Sequence, residues 1–151
     1  TGIVVLKGMK DISEGFLTAG TIGLSMADRA KRVLGMEIVE GAARVAKENA
    51  ARNGFGPDRF TACTGDVIGN AALMHTLSRG GYDIVLANIV ADVIIPLAPV
   101  VPHFLRPNAK FICSGILYTR LPEVLAAIEA AGLTVESTET MDDWCRVTAH
   151  N

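Results

Sequence analysis

Short apolar runs alternate with longer stretches of helical period along the chain. The apolar runs predict strands near residue 4 and over 32–39, 60–64, 82–88, 109–115, 133–139 and 144–150. Between them the spacing of apolar positions predicts helices over roughly 17–30, 40–53, 68–78, 91–105 and 119–131. This alternation is typical of a parallel sheet whose strands are joined by crossover helices.

Three element boundaries carry their own signals. The helix "EGAARVAKENAARNG" ends in Asn53-Gly54, which favours a left-handed stop. The segment "RPN" at 106–108 predicts a turn that closes one helix and opens the next strand. The last two strands have no helix between them, so we expect an antiparallel hairpin at the edge of the sheet.

The composition of the chain argues against some classes of protein function. The 151 residues fit one domain, half of them are hydrophobic and 20% are charged, which predicts an ordered globule. The net charge of -2 and the lack of a long basic run argue against a protein that coats nucleic-acid duplexes, and direct nucleic-acid binding is not expected. The longest apolar run, "YDIVLANIVADVIIPLAPVV", is interrupted by Asp, Asn and Pro and does not suit a bilayer.

The cysteines predict an intracellular chain with buried thiols. Cys63, Cys113 and Cys145 are widely spaced, and no C-x-x-C or nearby histidine pair accompanies them. Cys113 could act as a nucleophile, but no base stands near it in sequence, so a buried core thiol is the better interpretation. The three histidines are scattered without ligand spacing, so no metal site is predicted.

Polar residues follow the predicted strands at the edge where ligands bind in open α/β sheets. Glu37 ends the second strand and could accept hydrogen bonds from both hydroxyls of a ribose, or could simply be solvated. Asp66, after the third strand, could accept from the exocyclic amine of a purine, with Val67 against the ring. A Gly-Asp pair is, however, as often only a turn.

Asn88 ends the fourth strand inside a strongly apolar run, where an unsatisfied polar side chain is costly. It therefore either caps the following helix or serves a site, and a functional role is the favoured hypothesis. Asp92, one turn later, is better explained as a helix-start residue. Trp144 in "DDWC" is expected to pack on the edge hairpin, with substrate stacking as a minority alternative.

These residues resemble a class I S-adenosylmethionine-dependent methyltransferase, and most closely the catalytic domain of the PrmA family. The resemblance rests on residues 82–117, on the terminal "DDWCRVTAH" and on "GMEIVEGAARVAKENAARNG". Within it, Ala87 to Ala91 stand for the family's A-N-I-L-A, and Ser114 to Leu117 for its S-G-I-L. The implied fold is α/β and Rossmann-like, with a seven-stranded, mostly parallel sheet, an antiparallel edge hairpin and helices on both faces.

The resemblance also implies a function. The PrmA family methylates amino groups of a large-subunit ribosomal protein, so the expected cofactor is S-adenosyl-L-methionine and the expected partner a ribosomal protein, in the cytoplasm. In-line attack by an unprotonated amine on the sulfonium methyl is implied, with Asn88 accepting a hydrogen bond from the amine. We expect residues 1–151 to form a single catalytic domain without the family's amino-terminal recognition domain.

The glycine stretch "KDISEGFLTAGTIGLS", residues 10–25, departs from the usual nucleotide loop, and two registers are open. In one, Gly15 makes the turn after the first strand and Gly20 lies inside the next helix, at a cost of about 1 kcal/mol relative to Ala. In the other, Glu14 replaces the motif's usual Asp, and Thr18 and Gly20 form the loop. The second is slightly favoured, and both predict a cofactor loop of altered affinity.

Two alternatives to a protein methyltransferase stay open. The segment "GTIGLSMADRAKRVLGMEIVE" resembles RNA uridine and cytidine methyltransferases, although the D-P-P motif and the nucleophilic cysteine of those enzymes are replaced here by "ANIV" and "CSGI". An RNA or small-molecule methyltransferase is therefore the second hypothesis. A non-catalytic fragment or engineered relative with weakened cofactor binding is the third.

Overall fold

The computed structural model describes residues 3–7, 30–38, 40–79 and 81–151. The strands are β1 Ile3–Lys7, β2 Arg32–Glu37, β3 Phe60–Thr64, β4 Tyr82–Asn88, β5 Leu105–Leu117, β6 Thr134–Met141 and β7 Trp144–His150. The helices are α1 Glu40–Arg52, α2 Ala71–Ser78, α3 Ala91–Leu97, α4 Val101–Phe104 and α5 Leu121–Ala130, and a short 3-10 turn covers Tyr118–Arg120. The helix predicted over 17–30 lies outside the described residues.

These strands form one sheet in the order β3-β2-β1-β4-β5-β7-β6. The α/β class and the antiparallel β6–β7 hairpin at the sheet edge are confirmed. The prediction of a mostly parallel sheet is wrong: β2–β3 and β4–β5 are parallel, whereas β1 runs antiparallel to both of its neighbours, β2 and β4. An apolar run predicts a strand but not its direction, because direction depends on how the connecting segment returns to the sheet.

The two faces of the sheet bury separate apolar clusters. The larger cluster packs α2, α3, α4 and α5 against one face and includes the fully buried Phe111 and Ile94. The smaller cluster packs α1 against the other face, through Ala43 and Ala50 on the helix and Ile84 on β4. Within the described ranges, no helix is both long and apolar enough to span a bilayer.

The helix predicted over 91–105 is broken into two. Helix α3 ends at Leu97 and α4 covers only Val101–Phe104, with a turn between them. Pro99 lies between the two helices and accounts for the break, because proline has no backbone N–H donor and its ring clashes with the preceding helical turn. By contrast, the predicted stop of α1 is confirmed, since Gly54 adopts a left-handed φ of 82°.

Strand β5 begins before the "RPN" segment, so the predicted turn at 106–108 is wrong. Tyr82 on β4 pairs with Leu105, but Ile84 pairs with Lys110, which shows that residues 106–109 bulge out of a continuous strand. Asn108 accommodates the bulge with a left-handed φ of 63°. The bulged Arg106 forms an ion pair with Asp83, a buried carboxylate near the start of β4.

Candidate functional site

The carboxyl ends of four strands meet at one edge of the sheet, which we call the carboxyl edge. Strands β2 and β3 are parallel, as are β4 and β5. Because β1 is antiparallel to both β2 and β4, these two strands share one direction. The ends of β2, β3, β4 and β5 therefore lie side by side, although β1 runs opposite to expectation.

Strand register places Glu37 and Asn88 at the same level of this edge. Ile3 of β1 pairs with Met36 on one side and with Ala87 on the other, so the next residue outward is Glu37 on β2 and Asn88 on β4. Two strand spacings of roughly 4.8 Å put their Cα atoms about 10 Å apart. The two side chains project from the same face, because side chains alternate along each strand.

Glu37 is half-buried at the end of β2, and burial raises the pKa of its carboxyl above the ordinary value of 4.5. Its backbone oxygen accepts a hydrogen bond from Gly65 N (2.9 Å), which ties the ends of β2 and β3 together. The described residues donate no hydrogen bond to the Glu37 side chain. A half-buried carboxylate in this state fits a ligand that brings its own donors, such as the two hydroxyls of a ribose.

Asp66 and Val67 follow β3, as predicted, in the loop before α2. Asp66 Oδ1 accepts from Ile68 N (2.9 Å), which makes a local turn, while the residue stays exposed. Val67 is buried in the larger apolar cluster. Asn70 then caps α2 by accepting from Leu73 N (3.0 Å), so the helix predicted from residue 68 begins at Ala71.

The structure excludes helix capping, which was one of the two roles predicted for Asn88. The N-cap of α3 is Val90, which has no side-chain cap, and Asn88 stands two residues earlier, at the end of β4. Asn88 is half-buried, and its side chain makes no hydrogen bond with another residue of the described ranges. An amide that neither caps a helix nor has a partner among the described residues is available for a ligand.

Ser114 and Gly115, predicted to end the strand over 109–115, form a bulge inside β5, which continues to Leu117. Asn88 pairs with Ser114, whereas on the other side Cys113 pairs with Val147 and Ile116 with Cys145. Gly115 has a left-handed φ of 80°, and a Cβ on it would lie 2.9 Å from Asn88 Oδ1. The glycine therefore leaves room for the Asn88 amide, a role that the sequence signals only through an unexplained Gly within an apolar strand.

A cluster of charged side chains at the same edge was also missed. Arg120 Nη2 donates to Asp92 Oδ1 (2.8 Å), and its Nε donates to Glu123 Oε1 (2.9 Å). These two hydrogen bonds raise the pKa of Arg120 further above its ordinary value. Asp92 is in the first turn of α3, as predicted, and the cluster links the segments that follow β4 and β5.

Cys113 is fully buried, and burial raises the pKa of its thiol to about 12. It is a core thiol rather than a nucleophile, as the sequence favoured. The histidines, expected to be scattered, include one contact pair: the ring centroids of His75 and His103 are 6.3 Å apart. The part of the chain that the structure describes contains no group of three or more metal-ligating side chains.

Trp144 is 49% exposed and pairs with Leu117 and Met141 at the carboxyl edge. It therefore lies on the edge hairpin, as predicted, with part of its side chain open to solvent. The predicted loop residues Gly15, Thr18 and Gly20 lie outside the described residues, as do both registers of the glycine stretch. Their roles remain predictions.

Comparisons of the sequence with known proteins agree on one family. Residues 19–151 match the sequence model of the family described as Ribosomal protein L11 methyltransferase (PrmA). The "Ribosomal protein L11 methyltransferase" of Agathobacter rectalis is 38% identical over 120 residues, covering 80% of this chain and 37% of the relative. That of Limosilactobacillus fermentum is 32% identical over 148 residues, covering 97% of this chain and 44% of the relative.

The fold is similar to that of a solved relative. The crystal structure of ribosomal protein L11 methylase from Lactobacillus delbrueckii subsp. bulgaricus has a TM-score of 0.76 and 23% sequence identity, over 87% of this chain and 64% of that one. The chain spans about two fifths of the length of the curated relatives that it matches. The resemblance in the sequence is thus confirmed, and the chain belongs to the PrmA family of ribosomal protein L11 methyltransferases.

Proposed function

We propose that this chain carries the catalytic site of an S-adenosyl-L-methionine-dependent methyltransferase that acts on amino groups of a ribosomal protein in the cytoplasm. Its relatives are named for methylation of ribosomal protein L11, which supports that protein as the acceptor. Glu37, Asp66, Val67 and Asn88 are the proposed cofactor-binding residues in the described ranges. Gly15, Thr18 and Gly20 are proposed for the loop before them.

The observation that carries the proposal is the register at the carboxyl edge. Glu37 and Asn88 stand level with one another, on one face and two strands apart. A separation of about 10 Å lets one carboxylate hold a ribose while the amide acts at the other end of an extended ligand. Membership of a family described as methyltransferases supports methyl-transfer chemistry for this chain.

Glu37 and Asn88 have different tasks in the proposed reaction. When bound, S-adenosyl-L-methionine supplies a sulfonium methyl: the amine lone pair forms the N–C bond as the C–S bond breaks, and sulfur keeps that electron pair. Glu37 would accept hydrogen bonds from the ribose hydroxyls and so fix the cofactor's position. Asn88 Oδ1 would accept an N–H of the neutral amine and aim its lone pair without adding a charge.

The acceptor ammonium must lose its proton to solvent before it can attack. Desolvation at the edge and the nearby sulfonium charge both favour this loss. The nitrogen becomes positively charged again on methylation and releases a second proton before any further transfer. Most of the rate enhancement therefore comes from positioning, which the strand ends can provide because they are held rigidly by the sheet.

Calorimetric titration of the chain with S-adenosylhomocysteine tests cofactor binding. We expect saturable binding that Glu37→Ala weakens roughly tenfold to hundredfold, because hydrogen bonds to an ionised carboxylate are lost. Glu129→Ala, which removes an exposed carboxylate on α5, is the matched control and should bind like the wild type. An absence of binding at millimolar ligand would favour the non-catalytic alternative.

Transfer of radioactive methyl groups tests the acceptor. The chain is incubated with labelled cofactor and either purified ribosomal protein L11 or protein-free ribosomal RNA. Label on L11 that Asn88→Ala abolishes supports the proposal. Label on RNA alone would overturn it in favour of the RNA methyltransferase alternative.

A further inference from the structure

Ser114 stands directly beside Asn88 at the carboxyl edge. The two residues are partners in the parallel register of β4 and β5, and both are half-buried. Residues paired in this way project from the same face of a sheet, with Cα atoms roughly 4.8 Å apart. The hydroxyl of Ser114 and the amide of Asn88 are therefore neighbours on the face that also carries Glu37.

The backbone holds the two side chains in this relation. Ile89 N donates to Ser114 O (3.1 Å), which ties the residue after Asn88 to β5. Asn88 Oδ1 is aimed towards β5, since a Cβ on Gly115, next to Ser114, would lie 2.9 Å from it. The described residues provide no hydrogen-bond partner for the Ser114 side chain.

We propose that the Ser114 hydroxyl is a second hydrogen-bond acceptor for the methyl-accepting nitrogen, an inference that rests on the proposed function. A neutral primary amine has two N–H donors and one lone pair, so two acceptors are needed to fix the direction of the lone pair. Asn88 Oδ1 takes one N–H and Ser114 Oγ takes the other. Held by these two hydrogen bonds, the nitrogen directs its lone pair away from both acceptors and towards the methyl group.

This pairing makes the role of Ser114 depend on how many methyl groups the acceptor already has. A primary amine uses both acceptors, a monomethylated amine has one N–H left, and a dimethylated amine has none. Ser114 therefore assists the first transfer and has no partner in the third. A residue that merely supported the fold would affect every transfer alike.

The experiment compares two forms of one acceptor. Purified ribosomal protein L11 is used either untreated or after reductive methylation with formaldehyde and borohydride, which converts its exposed amines to dimethylamines. We expect Ser114→Ala to lower kcat about fivefold to tenfold on untreated L11, the effect of one lost hydrogen bond, with KM for the cofactor unchanged. Transfer to dimethylated L11 should be unaltered.

Two variants accompany Ser114→Ala. Ser114→Thr keeps the hydroxyl and should retain kcat on untreated L11 within about threefold, since β-branched residues suit a strand. Ser137→Ala removes an exposed hydroxyl from the middle of β6 and should match the wild type on both acceptors. Thermal unfolding of each variant checks that the fold is kept.

Equal losses on both acceptors, or no loss on either, would overturn the role of Ser114. Either result requires that the wild type transfers methyl groups, and so leaves the proposed function intact. A wild type that transfers nothing to L11 contradicts the proposed function itself. The two failures are therefore distinguishable in one set of assays.

Discussion

At the scale of single residues, the state of Glu37 links burial to cofactor binding. Burial raises the pKa of its carboxyl above 4.5, so the folded protein holds this proton more tightly than the unfolded chain does. The contribution of Glu37 to folding is thus most favourable below 4.5 and is lost as pH rises through the raised pKa. Ribose hydroxyls have the opposite preference, because they donate to the charged form.

Cofactor affinity should therefore fall as pH falls through the raised pKa of Glu37. We expect the dissociation constant for S-adenosylhomocysteine to be flat near neutral pH and to increase by up to tenfold per pH unit below that pKa. Calorimetric titrations at several pH values between about 4.5 and 7.5 measure it. In Glu37→Gln, which has no titratable group, the dependence should disappear; an unchanged profile would assign it to another group.

At the scale of elements, the position of the Asn88 side chain depends on the bulge at Ser114 and Gly115 in β5. Gly115→Ala places a side chain on a left-handed residue and brings its Cβ to 2.9 Å from Asn88 Oδ1 and 3.1 Å from Ile89 O. We expect a loss of about 1–3 kcal/mol in the free energy of unfolding. Methyl transfer should fall further than cofactor binding does, because Asn88 is displaced while Glu37 lies two strands away.

Gly132→Ala is the matched control for the bulge. Gly132 has a similar left-handed φ of 84°, but a Cβ there would meet no atom of the described residues within 4 Å. Chemical denaturation should therefore show a loss of about 1 kcal/mol for this variant, with the transfer rate of the wild type. Equal transfer rates in the two variants would mean that the Gly115 contact with Asn88 does not matter.

Elements whose signals are local could be predicted from the sequence. The bounds of β3, β4 and β7 match the predicted runs, and Gly54 stops α1 as its sequence indicates. Two of the predictions that failed depend on distant parts of the chain. The direction of β1 is set by its pairing with β2 and β4, and the continuation of β5 through residues 106–109 by its pairing with β4.

The same division holds for the candidate site. Glu37, Asp66 and Asn88 were found because each stands at or shortly after the end of an apolar run, which is a local signal. The roles of Ser114 and Gly115 were not predicted, since their relation to Asn88 arises only when β4 and β5 pair. The contact between His75 and His103 was missed for the same reason, as 28 positions of sequence separate residues that helix packing brings together.

At the scale of the whole molecule, stability depends most on the larger apolar cluster. Phe111, on β5, belongs to this cluster and is fully buried. Phe111→Ala should lower the free energy of unfolding by about 3–5 kcal/mol, a large part of the roughly 5–15 kcal/mol available to a domain. Urea denaturation followed by circular dichroism measures the change.

Two further variants bracket that result. Phe111→Leu keeps most of the volume and should cost under about 1.5 kcal/mol. Tyr118→Ala removes an aromatic ring that is 62% exposed and should change stability by about 0.5 kcal/mol or less. Similar losses for Phe111→Ala and Tyr118→Ala would contradict the assignment of the core to this face of the sheet.

The position of Trp144 has a consequence for how the protein can be observed. It is the single tryptophan in the sequence, so fluorescence excited at the red edge of indole absorption comes from one known place. That place is half in solvent and paired with Leu117, three residues beyond Ser114 on β5. Trp144 is thus an intrinsic fluorescence reporter at the carboxyl edge, and a ligand that binds there changes its emission.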